Sequence, residues 1–472
     1  MKKQIISLIL MGSMAISVLS ACGGTTSSSS ASSSSPTNSN SVETETTSEA
    51  IETSANGEDA TLSMWIYDDS DDVTKMYEDF ADSVHNTYPN ITIEIEVLPY
   101  DSGPEKFSVA CATNTTPDLY FDGYSRIAPA VQAGLTVDVS DIIEKYSDSF
   151  ITQQQDGQLN NGGYGYLATA TGAAYGILVN ESLAEKLGVA DMLPEDKATW
   201  SYEDFLNICR TAHEADSSVI PVSLWAGTQS ADAWYYSWLI ANGVSLTNSD
   251  LTATAFNDGD NKEKAEETFN LFKTIIDENL APQGCATISA EDCMDLFRSG
   301  NLLFCHGAFS NLSSYLTEQE QGTCADFDLD MYCIPTSEGK EVPTVCNWGS
   351  YGYAGFTNNN HEDAIKKVLE EWVKDPKWQT QLTELTGRFS LMSTTDVEWP
   401  EKIADRMDFG QQYSAEHAIS NFGILEPWWA DFRTTLYPQL QDFYTGNIDT
   451  DTLLANWQNS ADKIIADAQE TS

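Results

Sequence analysis

The stretch from residue 61 to residue 97 constrains the fold most, because its hydrophobic period changes twice. Residues 61–67 have the composition of a buried strand, residues 73–88 place apolar side chains on one helical face, and residues 91–97 alternate like a second strand. This order predicts a β-α-β unit with parallel strands and a right-handed crossover. With a third strand expected at residues 117–121, we predict an α/β fold.

The remainder of the chain is too long for one lobe. Residues 61–472 exceed what a single hydrophobic core usually supports, so we expect two lobes. Amphipathic stretches predict further helices at residues 262–279 and 361–374, and a long helix that begins at Glu426. The last stretch, residues 449–468, is predicted to form another helix.

The first 21 residues have the pattern of a secretory signal, with Lys2 and Lys3 before an apolar run too short to span a bilayer. Residues 19–22, Leu-Ser-Ala-Cys, resemble the lipobox of bacterial lipoproteins, in which the signal is cut before the cysteine and a lipid is joined to its sulfur. The resemblance implies a lipid anchor at Cys22 on the extracellular face of the cell membrane. The alternative is an ordinary cleaved signal with a chance cysteine.

Residues 22–60 have the composition of a disordered tether. They are almost entirely small and polar, and they contain no aromatic residue. Such a segment buries too little apolar surface to offset the entropy of ordering it. As a flexible coil it would hold the lobes roughly 30–35 Å from its attachment point.

The charge of the chain limits its partners. It has 72 acidic and 23 basic residues, which argues against nucleic acid, electrostatic membrane binding and a strongly anionic ligand. Besides Cys22 there are eight cysteines, and none forms a C-x-x-C pair, so we expect mostly free thiols and no metal or cofactor. A neutral ligand is compatible with this composition.

Several segments carry a family resemblance in their order and spacing. They are Phe107–Asp118, Ala133–Asp141, Asn161–Leu167 and Trp200–Phe205. Together they resemble the family 1 extracellular solute-binding proteins of ABC importers, which include the maltose-binding protein. The resemblance extends from about residue 61 to residue 457.

The resemblance implies a two-lobed, periplasmic-binding-protein-like fold of type II with a ligand cleft between the lobes. Lobe 1 would contain residues 61–172 and 334–386, and lobe 2 residues 173–333 and 387–472. The lobes would close about a hinge, and a monomeric receptor would deliver its ligand to an ABC permease in the membrane.

The predicted ligand is a neutral mono- or oligosaccharide, which proteins bind with aromatic platforms and charge-assisted hydrogen bonds. Ligands of open α/β sheets gather beyond the carboxyl ends of strands. These two considerations and the resemblance give the candidate ligand-binding residues Trp348, Trp428, Trp234, Asp122, Asp68, Tyr124, Trp225, Phe309 and Arg388.

Several of these residues have a second interpretation. Asp68 and Asp122 either contact ligand or cap helices, and Trp234 is either a platform or part of the core. Trp428 is favoured for ligand because it lies off the helical stripe that predicts Trp429 to be core. Arg388 could pair with any carboxylate of this acidic chain.

Other functions remain open at this point. A glycosidase needs only two carboxylates, although no hydrolase motif surrounds any acidic pair, and neither H-E-x-x-H, G-x-S-x-G nor a Walker loop occurs. Two acidic clusters, at residues 68–72 and 257–261, do not have EF-hand spacing. A polyamine or peptide ligand, or a surface sensor that delivers no cargo, would share the same fold.

Overall fold

The computed structural model describes residues 59–67, 70–99, 102–151, 156–171, 174–346, 348–419, 422–426 and 428–471. The predictions for the signal, Cys22, the tether and Asp68 therefore lie outside the described residues. The described residues, from Asp59 onward, belong to one compact unit. None of the described helices combines the length and apolar character that crossing a membrane requires.

Eleven strands are present in the described part of the chain. They are β1 Ala60–Tyr67, β2 Ile91–Leu98, β3 Leu119–Gly123, β4 Leu167–Thr171, β5 Tyr175–Asn180, β6 Ile220–Val222, β7 Leu302–Ala308, β8 Leu329–Tyr332, β9 Val345–Cys346, β10 Ser350–Gly355 and β11 Ala418–Ile419.

Sixteen α-helices accompany the strands in the same described ranges. They are α1 Asp71–Thr87, α2 Gly103–Thr113, α3 Tyr124–Gln132, α4 Ser140–Lys145, α5 Glu181–Leu187, α6 Tyr202–Ala215, α7 Ala231–Ala241, α8 Gly259–Asp277, α9 Ala290–Arg298, α10 Ser310–Gln321, α11 Glu362–Lys374, α12 Pro376–Thr386, α13 Ala404–His417, α14 Trp429–Phe432, α15 Tyr437–Tyr444 and α16 Thr450–Thr471.

The first sheet has the strand order β2-β1-β3-β10-β4. Strand β1 is parallel to both β2 and β3, which confirms the predicted β-α-β unit. The Ser70 side chain caps α1 by accepting a hydrogen bond from the Val73 amide at 3.2 Å, and the apolar face of α1 then packs on the sheet. Strand β10 joins much later in sequence and runs antiparallel to its neighbours β3 and β4.

The second sheet has the order β6-β7-β5-β8. Its central strand β7 is buried along its whole length, parallel to β6 and antiparallel to β5. Helix α7 is buried at every position and packs within a large aromatic core that also includes α15 and α16. Two sheets flanked by helices confirm the predicted α/β class.

The chain crosses between the two sheets at short segments. Strand β4 of the first sheet ends at Thr171, and β5 of the second begins at Tyr175. On the return, β9 pairs with β11, and the chain enters the first sheet only at Ser350. Since four residues span at most about 14 Å, the crossings hold the corresponding edges of the sheets close together.

Two details differ from the expectations. The predicted long helix at Glu426 is instead α14 followed by α15, which begins at Tyr437 and has Pro438 in its first turn. Residues 389–391, expected in lobe 2, hydrogen-bond along β4 of the first sheet, with the Leu391 amide donating to the Thr169 carbonyl at 2.9 Å. The lobe boundaries as a whole remain a prediction.

Candidate functional site

The carboxyl ends of β1 and β3 bring three polar side chains together at what we name the first edge. Tyr67 ends β1, Asp122 lies at the end of β3, and Arg126 follows one turn into α3. The Tyr67 hydroxyl donates to an Asp122 carboxylate oxygen and accepts from Arg126. Arg126 Nη1 also lies 3.9 Å from Asp122 Oδ1. Because Asp122 is 1% exposed, this is a buried network in which a carboxylate and a guanidinium share one phenol.

Burial controls the protonation of this network. Desolvation raises the pKa of Asp122, and the nearby Arg126 guanidinium and the Tyr67 hydroxyl oppose that rise. Desolvation and the Asp122 charge both raise the pKa of Tyr67, so its phenol stays protonated as a hydrogen-bond donor. The edge therefore presents fixed donors and acceptors.

A second set of hydrogen bonds extends the first edge toward the β10 crossing. The Tyr166 hydroxyl donates to the Asp122 carbonyl at 2.8 Å and to the Ser350 carbonyl at 3.2 Å. Asp156 accepts from the Ser350 amide at 3.1 Å and from its hydroxyl. Burial raises the pKa of Asp156, and the two Ser350 hydrogen bonds oppose it. The start of β10 is thus held rigidly to β3 and β4.

Tyr351 and Arg388 lie beside the same edge. A Cβ atom at Gly123 would be 3.6 Å from the Tyr351 ring, so the ring lies directly over the end of β3. The Arg388 guanidinium lies 4.5 Å from the centroid of that ring. Both side chains are partly exposed, unlike Tyr124, which is buried with its ring 5.1 Å from that of Tyr166.

The corresponding end of the second sheet, which we name the second edge, is aromatic. His306 near the end of β7 stacks on Tyr175 at the start of β5, with ring centroids 4.7 Å apart and planes inclined by 13°. Trp225 follows β6 at 5.2 Å from His306, and Trp234 of α7 lies at 4.7 Å. Tyr175 is partly exposed, whereas the other three rings are buried behind it.

Three nitrogens of the second edge have no hydrogen-bond partner among the described residues. They are His306 Nδ1 and the indole nitrogens of Trp225 and Trp234. Burial lowers the pKa of His306 to about 3, so its imidazole is neutral at physiological pH. A neutral imidazole carries one donor and one acceptor nitrogen.

Trp348 lies between the two edges. Its ring centroid is 6.2 Å from that of Tyr175, and Trp348 itself precedes Ser350 by two residues. The Arg433 guanidinium lies 5.0 Å from the Trp348 centroid and forms an ion pair with buried Asp232. Trp348 remains partly exposed.

The segment before α14 contacts the first lobe as well as the second. Gln132 of α3 donates to the Leu425 carbonyl at 3.2 Å, and the Leu425 side chain packs against the cores of both sheets. Glu426 is partly buried, and burial raises the pKa of its carboxyl. The first edge, the second edge, Trp348 and this segment together form the candidate site.

The structure brings six of the predicted ligand residues into this region, at differing depths. Asp122, Tyr124 and Arg388 lie at the first edge, and Trp348 lies at the crossing. Trp225 and Trp234 belong to the second edge but are at most 1% exposed, so they support Tyr175 and His306 from behind.

Phe309 and Trp428 are buried away from the open part of the site. Phe309 is fully buried among Phe389, Phe409 and Tyr413, where a Cβ at Gly410 would meet its ring at 2.3 Å. Trp428 is 4% exposed because its ring packs on the backbone of Gly423. Both rings fill the core in this structure, against the expectation of platforms.

Sequence reasoning missed Tyr175, His306, Arg126 and Arg433. The signal for Tyr175 and His306 was present, since each lies at the end of a strand-like run. No local pattern indicated Arg433, because its partners Asp232 and Trp348 are remote in sequence. Among the described residues, no group of three or more His, Cys, Asp and Glu could hold a metal ion, and all eight cysteines described are free.

Comparison with known proteins gives relatives throughout most of the chain. A binding protein of Brucella abortus (strain 2308) is 22% identical over 404 residues, which cover 82% of this chain and 89% of the relative. A solved cyclic alpha-maltosyl-1,6-maltose binding protein from Arthrobacter globiformis aligns with a TM-score of 0.67 at 14% identity, over 87% of this chain and all of that one. The GacH receptor of Streptomyces glaucescens, solved unliganded and with acarbose, aligns with a TM-score of 0.67 at 15% identity, over 86% and 98% of the two chains.

These structural similarities show that the chain has the two-lobed fold of solute-binding proteins, as predicted. The family of bacterial extracellular solute-binding proteins matches residues 70–380, which is more than half of the sequence. The segments that suggested the resemblance lie within this match. The chain therefore belongs to the bacterial extracellular solute-binding proteins.

Proposed function

We propose that this protein captures a neutral mono- or oligosaccharide between the first and second edges and delivers it to an ABC permease. The observation that carries the proposal is the pairing of a hydrogen-bonding edge with an aromatic edge at one crossing, in a chain of this family. A sugar offers hydroxyls at its rim and C–H groups on its faces, which match these two surfaces.

The charges at the site favour an uncharged ligand. Buried Asp122 lies beside Arg126, and buried Asp232 is paired with Arg433, so neither carboxylate is left to neutralise a cation. Burial favours the neutral forms of Asp156 and Glu426 by raising the pKa of each. A polyamine would therefore depend on cation–π contacts with the aromatic rings, without support from Asp122 or Asp232.

Partly exposed aromatic rings supply the platforms. Tyr175, Trp348 and Tyr351 are the partly exposed rings that surround the crossing. The names of similar structures support a saccharide, since one binds a cyclic maltosyl-maltose and another was solved with acarbose. A third, from Listeria monocytogenes, was solved with cycloalternan and has a TM-score of 0.66 at 15% identity, over 85% of this chain and 98% of that one.

The receptor binds its ligand without changing it and works outside the cell. Cys22 carries the lipid that anchors it, and the small and polar residues between Cys22 and β1 form the tether. Closure of the lobes about the crossings retains the sugar until the permease accepts it. Purified protein incubated with oligosaccharides should leave them intact, and any turnover would instead support a glycosidase.

A thermal-shift screen over mono- and oligosaccharides, polyamines and short peptides tests the ligand class, because a ligand that binds only the folded state raises Tm by mass action. Calorimetry on the hits should give affinity for a saccharide. Heat from an amine or a peptide, with none from any saccharide, would overturn the proposal.

Trp348→Ala tests the site itself. Loss of the ring should weaken saccharide binding about tenfold or more, since aromatic contacts dominate such interfaces. Trp399→Ala is the matched control, because Trp399 is also partly exposed but packs against a different core cluster. Equal affinity in the two variants would exclude Trp348 from the site.

A further inference from the structure

Asp232 and Arg433 form a brace that joins segments far apart in sequence. Asp232 lies in the first turn of α7 and is fully buried. Arg433 follows α14, and its Nη2 donates to Asp232 Oδ1 at 3.1 Å while its Nε donates to Oδ2. This two-point contact fixes the plane of the guanidinium.

A gain in folding stability does not by itself explain a buried ion pair between Asp232 and Arg433. Removing two charges from water costs several kcal/mol per ion, and well-packed apolar side chains often stabilise a protein as well as a buried ion pair does. Burial raises the pKa of Asp232, and only the Arg433 charge and a few hydrogen bonds oppose it. What the pair supplies and apolar residues cannot is a fixed direction for the guanidinium.

The guanidinium is directed at Trp348. Its carbon lies 5.0 Å from the Trp348 ring centroid, within the range of a cation–π contact. Tyr236 lies nearly parallel to the same indole at 6.4 Å, and the rings of Trp429 and Phe422 meet it edgewise at 5.8 and 6.0 Å. The second lobe therefore holds this ring, although Trp348 is only two residues from the strand that enters the first sheet.

We propose that Asp232 and Arg433 are positioning residues that hold the Trp348 ring in its ligand-binding orientation at the crossing between the sheets. Arg433 acts through Trp348, and Asp232 acts through Arg433. The effect on affinity rests on the proposed function, whereas the effect on the ring does not.

Fluorine-19 spectra of the full chain labelled with 5-fluorotryptophan test the brace without a ligand. Trp348→Phe identifies the Trp348 signal among the twelve tryptophans. Arg433→Met should shift and broaden that signal. Arg298→Met is the matched control, since Arg298 pairs with Glu318 and lies 5.8 Å from the Tyr315 ring, and it should leave the Trp348 signal unchanged.

An unchanged Trp348 signal in folded Arg433→Met would overturn the proposal. If that variant does not fold, combining Asp232→Leu with Arg433→Met removes both charges and avoids leaving one of them buried alone. The same displacement of the Trp348 signal is expected in the double variant, and its absence there would be equally decisive against the brace.

A double-mutant cycle, measured with a saccharide found in the screen, then tests whether Arg433 affects binding through Trp348. Arg433→Met should weaken binding about tenfold when Trp348 is present, and by less than about twofold in the Trp348→Ala background, because the two residues are coupled. Equal losses in both backgrounds would show that Arg433 does not act through Trp348. If no saccharide binds, the proposed function fails while the fluorine spectra still decide the brace.

Discussion

The two edges of the candidate site differ in whether their buried polar groups are hydrogen-bonded. At the first edge, the buried carboxylate of Asp122 accepts from Tyr67 and lies beside Arg126, and Tyr166 ties β3 to β10. At the second edge, the His306 Nδ1 atom and two indole nitrogens have no partner in the described part of the chain. The first edge is a completed network, and the second is an aromatic surface with hydrogen-bonding capacity left over.

Under the proposed function, this difference would let one site contact both the hydroxyls and the C–H faces of a sugar. A completed network keeps its donors and acceptors in fixed positions, because each member restrains the others. The faces of stacked rings offer apolar contact area and a quadrupole, and neither depends on a hydrogen bond of fixed direction. The following experiments change residues in and near each edge, and they compare the resulting losses of stability.

The largest expected loss of stability is for Trp428→Ala, beside the second edge. Trp428 is buried against Gly423, Trp429 and Phe432, so truncation should cost about 3–5 kcal/mol of unfolding free energy. Urea denaturation measures it. A loss below about 1 kcal/mol would show that the ring is free to serve as a platform, as its sequence position suggested.

Asp122→Ala at the first edge should cost about 3 kcal/mol, because it leaves Arg126 beside a buried site without its counter-charge. Asp79→Ala removes an exposed partner of Lys75 and should cost less than about 0.5 kcal/mol. Chemical denaturation of both variants gives the comparison. Similar small losses would mean that the first edge is not a tightly coupled network.

The buried imidazole of His306 at the second edge should make the stability of the protein depend on pH. The pKa of His306 falls from 6.5 to about 3 on folding, so below pH 6.5 the unfolded chain takes up a proton that the folded chain does not. The contribution of neutral His306 to stability is complete above pH 6.5 and is lost, at about 1.4 kcal/mol per pH unit, as pH falls toward 3.

His306→Phe should flatten that part of the stability curve, and it should cost less than about 1 kcal/mol at pH 7 because it removes an unpartnered polar group. His417→Phe, at a partly exposed position, is the control. Parallel pH profiles for His306→Phe and the unaltered protein would contradict the buried, neutral imidazole.

A smaller loss of stability than at Trp428 or Asp122 is expected at Gly349, between the two edges. Its φ of +82° makes Gly349→Ala cost about 1–2 kcal/mol of unfolding free energy, and the added Cβ would make only an ordinary contact of 3.9 Å with Asp156 Oδ2. Gly162→Ala should cost about the same, since Gly162 has a φ of +84° and no neighbour within 4 Å. Only Gly349→Ala should also alter ligand affinity in calorimetry. An equal affinity for the Gly349→Ala and Gly162→Ala variants would show that the crossing at Gly349 takes no part in closure of the lobes.

Much of the fold could be predicted from local patterns. The strand at residues 61–67, the helix that Ser70 caps and the alternating strand at 91–97 appear where their periods placed them, because side-chain period follows backbone geometry. The predicted long helix at Glu426 is instead divided into α14 and α15 by a turn at residues 433–436, and Pro438 lies in the first turn of α15, where proline is tolerated. Gly349 has a φ of +82° and immediately precedes β10, which begins at Ser350.

The candidate site could be predicted only in part. Asp122 was predicted because it follows a strand-like run and Trp348 because it lies in a loop between Asn347 and Gly349, and both lie in the candidate site. Phe309 and Trp428 were predicted to contact ligand because the sequence does not show which rings are covered by other parts of the chain. In the structure, Gly410 packs against the Phe309 ring and Gly423 against the Trp428 ring.

The sequence by itself determined the family, the α/β class and the type of each main element, since these depend on short-range periodicity and on motifs in a fixed order. The tertiary structure alone decided which aromatic rings are exposed and which charges are paired. The contact of Asp232, Arg433 and Trp348 joins residues about 85 to 200 positions apart, and only packing of the whole chain brings such residues within hydrogen-bonding distance or ring contact.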